Sequence, residues 1–305
     1  MAMDNLLPGI HLGVSPLSWT NDVLTELGGD IPLETCLKDA AEVGYAGVEL
    51  GRKFPRNGQK LYSILSSYGL RLVGGWHSGF LTERSVEEEW KAAADHVRLL
   101  KDCGSQILVY GECGLMAGAS PWDEPLSKRP HLKPSEFSAY AGKLSEFAVR
   151  LKETGITLAY HHHLKMLVES EAVIEAFCES TGEEVGLLLD TGHAYAASVD
   201  YAEIIRKFGA RVVHIHLKDV RRDTLVRARK SDWSFNSAVR EGVFTVPGDG
   251  DIDFSPIGEF VQTSGYRGWV VVEAEQDPAK AAPRLYVRKA YEYVRELLSR
   301  PDARK

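Results

Sequence analysis

The sequence has few of the features that mark secreted or membrane-spanning proteins. It holds four scattered cysteines and no C-x-x-C pair: Cys36, Cys103, Cys113 and Cys178. Reduced thiols are therefore expected, as in a cytoplasmic protein. No apolar stretch reaches the roughly 20 residues that cross a bilayer. The opening MAMDNLLPGIHLG lacks the basic start and the apolar run of a signal peptide. We expect no membrane partner.

The chain also lacks an excess of positive charge and the common phosphate-binding motifs. It carries 36 Lys and Arg against 43 Asp and Glu, a formal net charge of −7. A partner with many phosphates, such as nucleic acid, is therefore not expected. No G-x-G-x-x-G follows the first predicted strand, and G-x-x-x-x-G-K-[ST] does not occur. Dinucleotide-binding and P-loop functions are disfavoured for this reason.

Eight short apolar segments alternate with longer amphipathic segments, two of which end in glycine. This alternation indicates an α/β fold with a parallel sheet, and eight repeats in 305 residues favour one closed barrel. No Pro/Ser-rich linker divides the chain, so residues 1–305 are predicted to form a single (β/α)8 TIM-barrel domain. The predicted strands are Ile10–Ser15, Gly47–Leu50, Arg71–His77, Gln106–Tyr110, Ile156–His161, Val185–Asp190, Val212–His216 and Trp269–Glu273.

Two connections are unusually long. Residues 114–132 follow the fourth predicted strand, and residues 220–250 follow the seventh. Both lie at the end of the barrel where such enzymes keep their active sites. They carry Trp122, Trp233 and Phe235, whereas disordered linkers are poor in aromatic residues. We therefore expect the second connection to cover or line the mouth of a pocket, with Trp233 and Phe235 shielding it from water.

Three consecutive histidines end the fifth predicted strand, in the stretch AYHHHLKM. Side chains of a strand alternate between its two faces. His161 and His163 are therefore predicted to face the mouth of the barrel, and His162 to face away from it.

Groups able to bind a metal stand at the ends of strands five to eight. Asp190, His216 and Glu273, together with His161 or His163, form a mixed nitrogen and oxygen set. Such a set suits Mn²⁺, Co²⁺, Fe²⁺ or Zn²⁺ better than Ca²⁺. Each group alone is more often a cap or a hydrogen-bonding residue, but their coincidence on four strands predicts one divalent metal ion. The absence of a sulfur ligand excludes a structural cysteine-zinc site.

Other polar residues at the strand ends have more than one interpretation. Glu49 suits anchoring the barrel rim as well as binding a hydroxyl group. His214 lies one layer below His216, and a buried structural role is favoured. Lys218 is a candidate for proton transfer and equally a charge partner of nearby carboxylates. Glu275 is a candidate for orienting the metal ligands.

The stretches LLLDTGHA, HIHLKDV, VPGDGDIDF and GYRGWVVVEAEQDP resemble the xylose isomerase-like barrel superfamily. SWTND, YHHH and VEAEQDP together resemble the inosose dehydratases of inositol catabolism, and the likeness extends from Gly13 to Leu298. In that superfamily the metal usually lies between Glu, Asp, His and Glu of strands five to eight. The last three correspond to Asp190, His216 and Glu273. The first falls on His161, so the resemblance implies His161 as the fourth ligand, with His163 or water as the alternative.

The resemblance also implies a reaction. The expected substrate is a small cyclic polyol ketone, 2-keto-myo-inositol (scyllo-inosose). Loss of water through an enediolate gives 3D-(3,5/4)-trihydroxycyclohexane-1,2-dione. Mn²⁺ or Co²⁺ is favoured as the cofactor, Zn²⁺ or Fe²⁺ is an alternative, and glutathione is a second cofactor suggested by the family. A homodimer or homotetramer is expected. Proton transfer is assigned to Glu273, His163, His193 and Lys218, and substrate binding to His77, His193, Arg221, Arg222, Trp233 and Glu275.

Rival functions differ in chemistry. A sugar or keto-acid isomerase or epimerase of the superfamily uses two carboxylates that flank the substrate, and an imidazole at position 161 disfavours that symmetric proton exchange. A relative in rhizopine catabolism is a further alternative. A DNA-repair endonuclease requires a basic surface, which the charge balance disfavours. A polyol-binding sensor without chemistry does not account for the metal ligands.

Overall fold

A computed structural model describes residues 6–116 and 118–299. Eight parallel strands close into a barrel in the order β1-β10-β7-β6-β5-β4-β3-β2, and two short strands, β8 and β9, pair antiparallel outside it. The strands are β1 Ile10–Val14, β2 Gly47–Leu50, β3 Arg71–Gly79, β4 Ile107–Glu112, β5 Thr157–His161, β6 Val185–Asp190, β7 Val212–Leu217, β8 Asp219–Val220, β9 Phe244–Thr245 and β10 Gly268–Val272. All eight predicted barrel strands are confirmed, with ends that differ by no more than two residues.

Helices follow the strands, and most of them cover the outside of the barrel, whereas α8 and α9 belong to the connection after β7. They are α1 Leu33–Val43, α2 Gly58–Ser67, α3 Val86–Asp102, α4 Pro134–Glu153, α5 Glu171–Ser180, α6 Thr191–Ala196, α7 Tyr201–Phe208, α8 Arg222–Lys230, α9 Phe235–Arg240, α10 Ser255–Thr263 and α11 Pro283–Leu297. None of those in the described residues has the length and apolarity needed to span a membrane.

The ends of two helices show why these segments become helical where they do. α3 begins at a capping box, in which Ser85 and Glu88 each bond the other's backbone N–H. Gly104 and Gly155, which follow α3 and α4, adopt left-handed φ values of 71° and 84°. Glycine reaches that region without a steric penalty, so the glycine stops predicted from the sequence are confirmed.

The inside of the barrel is filled by a small apolar cluster beneath the polar strand ends. Val109, Ala159 and Leu188 form this cluster, while the larger core lies between the strands and the helices. Ala159 and Leu188 are each two residues before a polar group, His161 on β5 and Asp190 on β6. The two-residue period of a strand therefore places both polar groups inside the barrel, above the apolar layer.

The second long connection is largely regular structure rather than an irregular loop. It contains β8, α8, α9 and β9, and the Asp219 carboxylate at its base accepts backbone hydrogen bonds from Gly248, Gly250 and Ile252. Among its described residues, the first connection contains one helical element, a 3-10 turn at Pro121–Asp123. The two connections are bonded to each other, because the Leu126 N–H donates to the Trp233 carbonyl at 2.9 Å.

A glycine substitution inside the barrel tests this packing. A Cβ atom on Gly47 would lie 2.7 Å from the Arg71 carbonyl oxygen and 2.8 Å from the Trp269 ring. Neither group can retreat easily, so we expect Gly47→Ala to lower the free energy of unfolding by about 1–3 kcal/mol in urea titrations. Gly142→Ala, on the exposed face of α4 with no atom within 4 Å of the new Cβ, is the control. It should raise that free energy by about 0.5–1 kcal/mol, and equal effects of the two substitutions would contradict the packing described.

Candidate active site

A pocket of about 310 Å³ opens at the carboxyl ends of the barrel strands. Its polar side comes from β5, β7 and the residues after β10. Its less polar side comes from β1 to β4 and from the two long connections. The lining residues are Ser15, Pro16, Leu17, Asn21, Asp22, Val23, Glu49, Leu50, Trp76, Ser78, Val109, Cys113, Trp122, His161, His163, His216, Lys218, Phe235, Glu273 and Glu275.

Four predicted metal-binding groups converge at the base of this pocket. His161 Nε2 lies 3.6 Å from Asp190 Oδ2, and His216 Nδ1 lies 3.7 Å from the same oxygen. His216 Nδ1 also lies 3.3 Å from Glu273 Oε2. Ligand atoms about 2.1 Å from one ion and arranged tetrahedrally are roughly 3.4 Å apart. These three distances are close to that value, and the ligand atoms of His161, Asp190, Glu273 and the neighbouring His193 all lie within 4.8 Å of one another.

Backbone and side-chain contacts aim the imidazoles at that point. The His161 Nδ1–H donates to the His162 carbonyl oxygen at 2.7 Å, which leaves the lone pair on Nε2. The His216 Nε2–H donates to Glu49 at 3.0 Å, and nearby carboxylates raise the pKa of His216 well above its usual value in spite of burial, so a metal ion would take the place of the proton on Nδ1. These are the nitrogens that lie near Asp190. Burial lowers the pKa of His161 well below its usual value, so it is neutral, as a metal ligand must be.

Asp190 supplies the strongest sign that the set is built for a cation. Its Oδ1 accepts from the His193 N–H and so caps the start of α6. Its Oδ2 is buried and has no hydrogen-bond partner among the described residues. A buried carboxylate oxygen without a partner is costly, and a metal ion would satisfy it. The residues present therefore fit a divalent ion.

His193 also lies near these groups, with Nε2 at 4.0 Å from Asp190 Oδ2. That nitrogen accepts a hydrogen bond from Lys218 Nζ at 2.7 Å, so its lone pair is already used. The His216 Nδ1 atom has no hydrogen-bond partner within the described chain. We therefore place His216 rather than His193 in the candidate metal set.

Lys218 joins the candidate metal set to a second group of polar residues. Its ammonium lies 2.7 Å from both His193 Nε2 and Glu275 Oε2, and 2.9 Å from Glu273 Oε2. Burial opposes its charge, but Glu273 and Glu275 raise the pKa of Lys218 above its usual value. The same ammonium holds the pKa of Glu273 well below its usual value, in spite of burial. Lys218 is therefore charged, and Glu273 is a carboxylate.

The α6 helix leaves room for this lysine. A Cβ atom on Gly192 would lie 2.5 Å from Lys218 Cγ. The glycine of the D-T-G-H stretch thus lets the aliphatic part of Lys218 pack against the first turn of α6.

His163 faces the upper part of the pocket. Its Nδ1–H donates to the Leu164 carbonyl at 2.6 Å, so the lone pair is on Nε2. Burial lowers the pKa of His163 to about 3, and the ring is neutral. Its centroid lies 3.5 Å from that of His193 and 5.3 Å from those of Trp122 and Phe235. A neutral imidazole with a free lone pair beside a water-excluding aromatic wall can accept a proton from a bound molecule.

His162 lies on the other face of β5, as the strand period predicts. Its Nε2 accepts a hydrogen bond from the Asp190 backbone N–H at 3.0 Å. It does not line the pocket, and burial lowers its pKa to about 4. The His162 side chain therefore links β5 to β6 through a hydrogen bond at the backbone of Asp190.

Two predicted substrate contacts on strands and loops do not line the pocket of this structure. His77 faces the helical layer, where its Nε2 lies 2.6 Å from the Glu89 carboxylate of α3. Its neighbours Trp76 and Ser78 line the pocket instead, because β3 continues to Gly79 and alternates its faces. Trp233 does not line the pocket, and the aromatic residues that do so in the long connections are Trp122 and Phe235.

The two predicted substrate-binding arginines are also turned away from the pocket. Arg221 donates to Thr245 at 2.9 Å and to Asp249 at 2.8 Å, within its own connection. The backbone N–H of Arg222 donates to Asp251, and its side chain does not reach the pocket lining. Both arginines therefore lie outside the pocket in this structure.

The sequence interpretation missed the pocket wall formed by strands one to three. Ser15, Asp22 and Trp76 line the pocket but were not among the predicted site residues. The S-W-T-N-D stretch contains Asp22 and begins four residues after the end of β1, so its position after a strand could have indicated it. Side chains of β3 that share a face are two residues apart. Counting from Gly74 gives Trp76 and Ser78 as the residues that face the pocket, whereas the prediction counted from His77.

Comparisons with known proteins show the family to which the chain belongs. Residues 37–297 match the family described as Xylose isomerase-like TIM barrel. Over 288 residues the chain is 46% identical to the rhizopine catabolism protein MocC of Rhizobium meliloti, covering 94% of this chain and 88% of that protein. It is 38% identical over 288 residues to the inosose dehydratase of Geobacillus thermodenitrificans, covering 94% and 97%.

Solved structures show the same fold at low sequence identity. The zinc-bound IolI protein superposes with a TM-score of 0.68 at 14% identity, covering 94% of this chain and 98% of that one. The D-psicose 3-epimerase of Clostridium cellulolyticum H10, solved with D-tagatose, superposes with a TM-score of 0.66 at 16% identity, covering 95% and 100%.

His162 gives a pH-dependent prediction. Its folded pKa of about 4 lies below the value of 6.5 for an exposed imidazole. As the pH falls from 6.5 towards 4, the unfolded chain gains a proton at this residue and the folded chain does not, so stability is lost. We expect the wild type to lose about 1–2 kcal/mol more than His162→Gln between pH 7 and pH 5 in urea titrations. A parallel loss in both proteins would show that His162 is not held neutral.

Proposed function

Because this chain belongs to the xylose isomerase-like TIM barrel family, within the group that includes inosose dehydratases, we propose that it is a hydro-lyase of inositol catabolism. The proposed reaction removes water from 2-keto-myo-inositol to give 3D-(3,5/4)-trihydroxycyclohexane-1,2-dione. The observation that carries this proposal is the near full-length identity to inosose dehydratases of 36–38%, combined with the metal-binding geometry in the pocket.

The cofactor that we propose is one divalent metal ion held by His161, Asp190, His216 and Glu273. Mn²⁺ and Co²⁺ suit this mixture of imidazole and carboxylate, and so do Zn²⁺ and Fe²⁺. When bound, the ion supplies Lewis acidity towards the ketone of the substrate.

Glu273 is the base in this proposal. It is a carboxylate because the Lys218 ammonium lowers its pKa in spite of burial, and it lines the pocket. It would accept the proton from the carbon next to the ketone. His163, with its free Nε2 lone pair, is the second candidate for the base.

The proton for the departing hydroxyl group comes, we propose, from the Lys218–Glu275 pair. Both residues line the pocket, and their polar atoms are 2.7 Å apart. Burial raises the pKa of Glu275, while its contact with Lys218 acts in the opposite direction. The pair thus retains one proton close to the pocket. His193 accepts a hydrogen bond from Lys218 and would orient the ammonium.

The wall of the pocket would keep water from the reacting carbons. Trp122 and Phe235 pack against each other with ring centroids 5.0 Å apart, and Phe235 is buried. Removing water from a site of this kind strengthens the electrostatic interactions within it. We propose that these two residues perform the shielding for which the sequence had suggested Trp233 and Phe235.

A second candidate function is a step in rhizopine catabolism. The chain is 46% identical to the rhizopine catabolism protein and 36–38% identical to the inosose dehydratases. Either function would use the metal set proposed above. A purified enzyme that leaves scyllo-inosose unchanged but consumes rhizopine or a product of its breakdown would favour this alternative.

Metal dependence is the first test of the proposed function. We expect the purified protein to convert scyllo-inosose into a product lighter by one water molecule, detected by mass spectrometry. Chelation should abolish the conversion, and Mn²⁺ or Co²⁺ should restore it. Full turnover in chelator by metal-free protein would refute the metal proposal, and a product of unchanged mass would indicate an isomerase or epimerase.

The histidines of β5 give the second test. His161→Ala removes a ligand, so metal content should fall and kcat/KM should drop by about 10³-fold, or roughly 4 kcal/mol. His163→Ala should keep its metal and lose about 10²-fold in kcat. His162→Gln, which alters the opposite face of the same strand, should keep both. If the His163 variant loses its metal and the His161 variant keeps it, His163 rather than His161 is the metal ligand on β5.

His161→Glu restores the carboxylate usual in the superfamily. It should still bind metal, but the added negative charge makes the bound ion a weaker Lewis acid. We expect slower dehydration of scyllo-inosose and trace epimerisation of ketoses, followed by mass spectrometry and sugar chromatography. Dehydration at the rate of the wild type would contradict the role given to the neutral imidazole.

A further inference from the structure

Glu49 makes a contact across the barrel that the proposed reaction does not use. Its Oε1 lies 3.0 Å from Nε2 of His216 and 2.9 Å from Nε2 of His214. Glu49 is on β2 and both histidines are on β7, and β1 and β10 stand between these strands in the barrel. All three side chains are buried. The contact therefore passes through the barrel interior, at the base of the pocket.

The direction of these hydrogen bonds follows from the geometry at Glu49. Both ring nitrogens lie within 3.0 Å of the same Oε1 atom, and a single carboxyl proton could serve at most one of them. An oxygen that contacts two ring nitrogens in this way acts as the acceptor, so each Nε2 carries a proton. When His216 is neutral, its lone pair must then be on Nδ1. Nδ1 is the atom that lies 3.7 Å from Asp190 Oδ2 and 3.3 Å from Glu273 Oε2.

We propose that Glu49 is a positioning residue that fixes the tautomer and the ring orientation of His216 for metal binding. His214 holds the Glu49 carboxylate in place from the layer below. The inference rests on the proposed metal site. Its physical basis is that a metal-bound imidazole is oriented, and made more basic, when its second N–H donates to a carboxylate.

Two other roles for Glu49 fit the structure less well. Glu49, His214 and His216 are close enough together to bind an ion of their own. However, both nitrogens lie at hydrogen-bonding distance from one oxygen, closer than the roughly 3.4 Å between two ligands of one tetrahedral ion. Glu49 also lines the pocket and could accept a substrate hydroxyl group. That role does not explain why two buried histidines are aimed at its carboxylate.

His214 supports the positioning role because it has no other evident task. It is fully buried, and its Nδ1 has no hydrogen-bond partner in the described chain. It does not line the pocket. Its one side-chain hydrogen bond within the described residues is the one to Glu49. A buried imidazole placed in this way stabilises the ionised carboxylate and limits its movement.

The chain offers a matched control outside the pocket. Glu89 of α3 is a buried carboxylate that contacts the imidazole of His77 at 2.6 Å. Glu89→Gln alters the same kind of pair far from the proposed ligands. Any effect of losing a buried carboxylate on stability should appear in this variant, and any effect on metal binding should not.

The experiment measures Zn²⁺ affinity by competition with a chromophoric chelator. We expect Glu49→Ala to bind Zn²⁺ about 10–100-fold more weakly than the wild type. Glu49→Gln should lose less, because its amide oxygen can still accept the His216 Nε2–H. Glu89→Gln should bind as the wild type does. In the Zn²⁺-loaded protein with ¹⁵N-labelled histidine, the Nε2–H signal of His216 should be protected from solvent exchange and should lose that protection in Glu49→Ala.

The outcomes separate this inference from the proposed function. Wild-type affinity for Zn²⁺ in Glu49→Ala, with an unchanged Nε2–H signal, overturns the positioning role and leaves the metal site intact. A raised KM for scyllo-inosose with unchanged Zn²⁺ affinity overturns it in favour of substrate binding. Failure of the wild type itself to bind Zn²⁺, Mn²⁺ or Co²⁺ removes the metal proposal, and the inference with it.

Discussion

Ionised groups buried side by side at the mouth of the barrel are the constraint on which the rest of the structure depends. Asp190, Glu273 and Glu275 are carboxyl groups with little exposure to water, and Lys218 lies among them. A buried charge without a partner is expensive, and removing one member of such a pair commonly costs about 3–5 kcal/mol. These charges are therefore kept together only because each has a partner of opposite sign within a few ångströms. The same proximity makes the site suited to holding a further cation.

The fold provides this arrangement with backbone groups as much as with side chains. The carbonyl oxygens of His162 and Leu164 decide which nitrogen of His161 and of His163 bears the proton. The start of α6 is capped by the same Asp190 side chain whose other oxygen faces the cluster. Because strands and a helix end fix these groups, the site requires little rearrangement when a cation or a substrate arrives.

The site is asymmetric in charge, and this bears on the proposed reaction. The β5 side contributes the neutral imidazoles of His161 and His163, whereas the β10 side contributes Glu273 and Glu275. An epimerase needs proton exchange on both faces of one carbon, for which two similar groups are suitable. A dehydratase takes a proton from one carbon and gives one to a hydroxyl leaving the next. A site whose proton-accepting group differs in kind from its proton-supplying group therefore suits dehydration better than epimerisation.

The sequence by itself determined the barrel, the order of its strands and the faces of β5. The glycine stops, the two-residue period and the repeated alternation of strand and helix are local properties, and local chemistry is enough to specify them. For the same reason the convergence of His161, Asp190, His216 and Glu273 could be predicted, since the carboxyl ends of barrel strands meet at one place.

Only the tertiary structure decided what depends on contacts between distant segments. It turned His77 towards Glu89, fixed Arg221 within its own connection, and placed Trp122 rather than Trp233 against Phe235. It also joined Glu49 to two histidines more than 160 positions away, because closing the barrel brings strands that are not neighbours close together across its interior, and no sequence period records that distance.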